Sequence, residues 1–150
     1  MATSTAQRHS TARDLGLLVA RIVLGVVFTA HGVQKISEWG LDATAQNFAG
    51  MGVPMPELAA PVVAILELAG GIALILGVLT PWVGILLAID MLVAALLVHV
   101  GSGVFVDGGG WELVGGLGAG ALALAATGSG RLSLDHLVVG RRSGRRSARA

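Results

Sequence analysis

The chain has 150 residues, 54% of them hydrophobic and only 13% charged, with 23 glycines, no cysteine and a net charge of +1. A soluble domain averages about 25% charged residues, so a solvated surface is excluded along most of this chain, and the missing thiols exclude disulfide, iron–sulfur and thiolate chemistry. Apart from Arg21 and Lys35, every basic residue lies before residue 14 or after residue 130. Such a pattern flanks membrane spans rather than forming a nucleic-acid surface, and membrane lipid is the expected surrounding.

Residues 1–13 are small and polar with no periodic apolar face, which predicts a disordered cytoplasmic tail. Asp14 is placed to cap a first helix over about residues 15–36, which is too long and too interrupted by Arg21 to be a cleaved signal. Arg21, Gly25, Phe28, His31, Gly32 and Lys35 recur on it at helical spacing and share one face. Trp39, Leu41, Ala45 and Phe48 then predict a short interfacial helix in the first outer loop, broken by the MGVPMP run at 51–56.

A second span begins near Glu57 and runs to about Leu79, with Pro61 in its first turn. Thr80 and Pro81 make a tight inner turn, the third span runs from Trp82 to about Val100, and GSGVFVDGGG forms a glycine-rich outer loop. The fourth span covers about 111–127 and stops at Gly128 and Gly130. Gly70, Gly71 and Gly77 on the second span and Gly115, Gly116, Gly118 and Gly120 on the fourth predict that these two pack closely, and the same glycine faces permit a homo-oligomer. Phe28 and Met91 sit at ordinary core spacing.

The predicted fold is therefore all-α: a four-transmembrane-helix bundle over 14–136, ending in an arginine-rich tail at 137–150. The outer connections 36–57 and 100–111 carry Glu38, Asp42, Glu57 and Asp107 but no Lys or Arg, which puts both termini in the cytoplasm.

The informative residues are ionisable groups within apolar spans, because burying one near the bilayer centre costs about 2.5–3.5 kcal/mol even on lenient scales. Arg21, His31, Glu67, Asp90 and His99 meet this description, with Lys35 and Glu112 at the outer boundary. Weighted outward, they predict a polar cavity opening to the outside. Glu67, His31 and Lys35 suit a quinone head group, which needs a protonatable neighbour; the competing reading makes the same charges structural ion pairs, Arg21 with Asp90 and His31 or Lys35 with Glu67 or Glu112. Bis-histidine haem ligation by His31 and His99 lacks any other signature, and no complete metal site is visible. Asp90 and His99 are nine residues apart, about 180° around an ideal helix, so only one of them is expected to face a central cavity unless the third span unwinds near Gly101.

RIVLGVVFTAHGVQK at 21–35, ELAGGIALILGVLTP at 67–81, DMLVAALLVH at 90–99, GGGWELVG at 108–115 and GSGRLSLD at 128–135 resemble, in order and spacing, the DoxX family. The resemblance covers about 20–136. It implies a multi-pass protein of the bacterial cytoplasmic membrane, in a family named for a membrane subunit of quinone-linked thiosulfate oxidation. It also implies a polar set of Arg21, His31, Gln34, Lys35, Glu67, His99, Glu112 and Asp135, of which Arg21, His31, Lys35, Glu67, His99 and Glu112 are the candidate quinone-binding residues. Trp82 departs from relatives that carry a basic residue after the inner-turn proline.

The resulting functional expectation is a quinone-linked subunit of a membrane oxidoreductase assembly, accessory to a soluble redox enzyme partner that oxidises the substrate. The alternative is a non-catalytic membrane scaffold or anchor for soluble redox partners, binding through its tail. A solute carrier is disfavoured, since four spans without inverted repeats are a poor frame for alternating access.

Overall fold

The computed structural model describes residues 2–138. Helix α1 spans Ala2–Val33 and continues through a π-helical turn at Gln34–Glu38. α2 spans Leu41–Gly50, α3 Pro56–Leu76, α4 Thr80–Ala94 with a second π-helical turn at Ala95–His99, and α5 Glu112–Thr127. No strand occurs among the described residues. Helices are the economical solution for so apolar a chain, because each satisfies its own backbone donors and acceptors.

Three helical stretches are long and apolar enough to cross a membrane, Thr11–Glu38, Pro56–Leu76 and Thr80–Ser102. The fourth apolar helix, α5, has only 16 residues, about 24 Å at 1.5 Å per residue and short of a roughly 30 Å hydrocarbon core. Side-chain burial runs opposite to that of a soluble bundle. Val23, Val26, Ile65, Leu86 and Leu92 are each more than half exposed, whereas Arg21, Glu67 and Lys35 are buried. Phe28 and Met91 lie, as expected, in the small apolar core with Leu74, Leu87, Ala121 and Leu124.

Four sequence expectations need correction. α1 extends back to Ala2, so its start is earlier than residue 15, and Asp14 is not its cap: its Oδ1 accepts the Arg131 N–H at 3.1 Å. The inner turn lies one step earlier than Thr80 and Pro81. α3 closes with Gly77 left-handed (φ 70°), the Val78 N–H donating to Ala73 O at 2.9 Å, and Thr80 already begins α4 after Leu79 at φ 50°.

The second and fourth spans, α3 and α5, do not form the close pair; α1 packs chiefly on α3 and α4 on α5. The small residues seat accordingly. A Cβ on Gly71 would stand 2.5 Å from the Thr29 nitrogen, and one on Gly84 would stand 2.6 Å from the Ala121 carbonyl oxygen. Fourth, Asp90 and His99 share one cavity, as described below. The arginine-rich tail lies outside the described residues from 139 onward.

Candidate functional site: a polar cavity at one end of the bundle

The site lies where α1 and α4 end and α3 and α5 begin, at the end of the bundle opposite the Asp14–Arg131 contact. α2 and the segment after it fold over it. Thr44, fully buried on α2, donates its Oγ1 hydroxyl to Lys35 O at 3.1 Å or Gly40 O at 2.9 Å, tying α2 to the end of α1. From there Phe48, Met51 and Val53 reach the cavity. On the opposite side the 100–111 loop is bonded into a compact turn: the Trp111 N–H donates to Gly103 O at 3.2 Å and the Glu112 N–H to Val104 O at 2.9 Å.

These elements enclose a cavity of about 400 Å³, within the ordinary range for small-molecule sites. Its walls are largely apolar, with Phe28, Val63, Met91, Val114 and Leu117 among them. The polar groups that line it are His31, Gln34 and Lys35 from α1 and its π turn, Glu67 from α3, and Asp90 and His99 from α4 and its π turn.

Lys35 and Glu67 form the one ion pair among the described residues, Nζ to Oε2 at 2.6 Å, with side chains only 10% and 5% exposed. Of the ion pairs considered from sequence, this one exists. The Arg21–Asp90 pair does not: Asp90 Oδ2 is buried with no hydrogen-bond partner, and Arg21 lies at the other end of the bundle.

The π-helical turn explains why Asp90 and His99 share this cavity. Widening one turn of α4 inserts about one residue into the helical count, so nine residues advance like eight and the two side chains lie about 80° rather than 180° apart. A sequence period cannot reveal this, because the extra residue is as apolar as its neighbours. The π turn at Gln34–Glu38, marked by the Trp39 N–H donating to Gln34 O at 2.9 Å, likewise closes α1 where Gln34 and Lys35 meet the cavity.

Both histidines are oriented by backbone carbonyls. His31 Nδ1 lies 2.9 Å from Val27 O, one turn earlier on α1, and His99 Nδ1 lies 2.7 Å from Gly109 O in the glycine-rich loop. A carbonyl oxygen only accepts, so each Nδ1 carries the proton and donates.

Two of the candidate residues are placed elsewhere. Glu112 does not line the cavity; its Oε1 accepts the Val106 N–H at 2.6 Å and braces the 100–111 loop. Arg21 is 1% exposed at the opposite end, where its Nη2 donates to Leu132 O at 2.5 Å. A Cβ on Gly77 would overlap its guanidinium, so that end closes only around glycine. Asp135 completes this second cluster by accepting the Leu79 N–H at 2.9 Å and the Thr80 N–H at 3.3 Å, which caps the first turn of α4 from 55 residues away. Glu112 apart, the polar set is thus divided into a cavity group and a group that fastens residues 131–135 beneath the bundle. Asp90, singled out as an ionisable residue in an apolar span but paired with Arg21 and left out of the candidate quinone-binding set, lines the cavity, as does Gln34.

With apolar faces turned outward and its ionisable groups held inside, the chain is a helical membrane protein. It belongs to the DoxX family, whose model matches residues 16–100. It is similar to CatD of Bacillus subtilis strain 168, whose name proposes an oxidoreductase, at 32% identity over 136 residues, covering 90% of this chain and 96% of CatD. It is also similar to two inner membrane proteins of Escherichia coli K12. YphA is 35% identical over 130 residues (83% of this chain, 91% of YphA) and YqjF 36% identical over 125 residues (83% and 93%). No solved structure matches the chain at the same stringency.

Proposed function

We propose that the protein is a multi-pass subunit of a bacterial plasma-membrane oxidoreductase assembly, with both termini cytoplasmic, and that its cavity binds a quinone. The carrying observation is the cavity itself: an apolar chamber at one end of a membrane bundle, walled by a buried Lys35–Glu67 pair, two oriented histidines and the unpartnered Asp90 Oδ2. A bound quinone supplies two-electron redox chemistry coupled to protons. Of the candidate residues, His31, Lys35, Glu67 and His99 suit its head group, with Asp90 and Gln34 beside them, while Phe28, Met91 and Val114 exclude water from the ring. Lys35 and Glu67 hold a proton and a charge at fixed positions, and the histidines keep one ring nitrogen each for the ligand. The oxidoreductase name of CatD supports this direction.

The test is native mass spectrometry of gently solubilised protein, followed by solvent extraction of bound molecules. A stoichiometric quinone that is lost in Glu67→Gln or His31→Ala is expected. A chain carrying phospholipid alone, with no binding of added menaquinone or ubiquinone, refutes the reading. Fusions of alkaline phosphatase and of green fluorescent protein to each terminus test the topology, and only the fluorescent fusions should be active.

The scaffold reading draws on a different observation, the inner cluster, in which Arg21 and Asp135 hold residues 131–135 under the bundle and contact no cavity. It expects a soluble redox partner to co-purify with the full chain and to be lost when residues 139–150 are deleted.

A further inference from the structure

The free hydrogen-bonding capacity of the cavity is unequal in kind, and this selects between the two redox forms of a quinone. His31 and His99 each use the Nδ1 proton on a backbone carbonyl, Val27 O at 2.9 Å and Gly109 O at 2.7 Å. In the neutral imidazole this leaves Nε2 as a lone pair that can only accept. Two backbone contacts, from unrelated parts of the chain, therefore fix the same tautomer on both histidines. Glu67 accepts from Lys35 at 2.6 Å and keeps a second carboxylate oxygen. Asp90 presents Oδ2 with no partner. Against these stand the remaining N–H groups of Lys35, already held by Glu67, the indole N–H of Trp39, and the amide of Gln34, which both donates and accepts.

A ligand whose oxygens are carbonyls can only accept, so it satisfies Lys35 or Gln34 and leaves both histidine lone pairs unmet in an apolar chamber. A ligand whose oxygens are phenolic hydroxyls donates to an imidazole Nε2 or a carboxylate and still accepts from Lys35. A site built to bind hydroxyls discriminates strongly against the analogue that lacks the proton, because its own buried groups are then left unpaired.

Building on the quinone reading above, we infer that this cavity is a quinol site: it binds the dihydroxy, reduced form of a benzoquinone or naphthoquinone in preference to the oxidised form. His31 Nε2 and His99 Nε2 are the groups that recognise the two kinds of oxygen. The ligand class extends to any small aromatic diol with the same donors, and the head group rather than the tail carries the discrimination.

The test is anaerobic binding to the purified full-length chain in lipid nanodiscs, by titration calorimetry. The probes are decylubiquinone, menadione and the same two compounds after reduction. Reduced forms are expected to bind at least tenfold more tightly than oxidised ones. His31→Phe and His99→Phe should each lower affinity for the reduced probes by fivefold or more while changing affinity for the oxidised probes less than twofold. Equal affinity for both forms, or tighter binding of the oxidised form, overturns the inference and leaves the quinone reading standing. Binding of neither form overturns both. The comparison between redox forms on the unmodified chain decides the matter even where a histidine variant fails to fold.

Discussion

Replacing Lys35 with Met removes the ammonium and leaves Glu67 alone in the bundle. The two atoms stand 2.6 Å apart, a separation at which two unit charges attract by about 6 kcal/mol in an effective dielectric of about 20. Desolvating two ions costs several kcal/mol each, so the pair as a whole adds little over an apolar substitute, but stranding one partner costs about 3–5 kcal/mol. Lys35→Met and Glu67→Leu should therefore each destabilise by about 3 kcal/mol or more, and the double variant should recover to within about 1 kcal/mol of the parent. Reversible unfolding in mixed micelles, followed by the fluorescence of Trp39, Trp82 and Trp111, supplies the double-mutant cycle. An ordinary interhelical hydrogen bond in a membrane bundle gives a coupling of about 0.6 kcal/mol, so a coupling above about 2 kcal/mol identifies a buried ion pair. Additive single effects would refute the reasoning, because they would mean that neither charge compensates the other.

Three further outcomes follow from the packing. Asp135→Ala removes the acceptor for the Leu79 and Thr80 N–H groups and should cost about 1 kcal/mol in the same unfolding assay, with Asp135→Asn intermediate. Gly71→Ala places a Cβ 2.5 Å from the Thr29 nitrogen and 2.6 Å from Gly25 O, both backbone atoms that cannot step aside. It should destabilise by about 1–3 kcal/mol, whereas Gly116→Ala, with nothing within 4 Å, should be neutral or stabilising by up to about 1 kcal/mol. Deleting Leu96 removes the extra residue of the π turn at Ala95–His99, so eight residues of regular helix carry His99 to the same side of α4, about 80° from Asp90, that nine reach through the π turn. The expected result is a folded helical protein by circular dichroism that still binds reduced decylubiquinone, and loss of binding with the helix content intact would refute the one-residue account of the π turn.

Three of the four expected spans were legible in the sequence, because burial in lipid demands long apolar runs and a run of some 20 residues is a one-dimensional property; the fourth is the 16-residue α5. The short helix after the first span and the core placement of Phe28 and Met91 follow from equally local signals, whereas the left-handed stop at Gly77 came two residues before the expected end at Leu79. Which charges the bundle takes in was also legible, since Arg21, His31, Lys35, Glu67, Asp90 and His99 stand out by sitting in or beside apolar spans at all. Their partners were not. Lys35 with Glu67 was one of several pairings that depth alone allowed; the approach of α1 to α3, through Gly25, Gly71 and Thr29, selects it. Arg21 and Asp135 share no sequence signal with each other, and only the fold of residues 131–135 beneath α3 and α4 reveals that they close the bundle. Asp90 joins the cavity through a π turn that leaves no trace in composition. Local hydrophobicity thus fixes roughly where the apolar helices run. Which side chains meet depends on helix rotation and close backbone approach, and these are set by contacts between residues far apart in the chain.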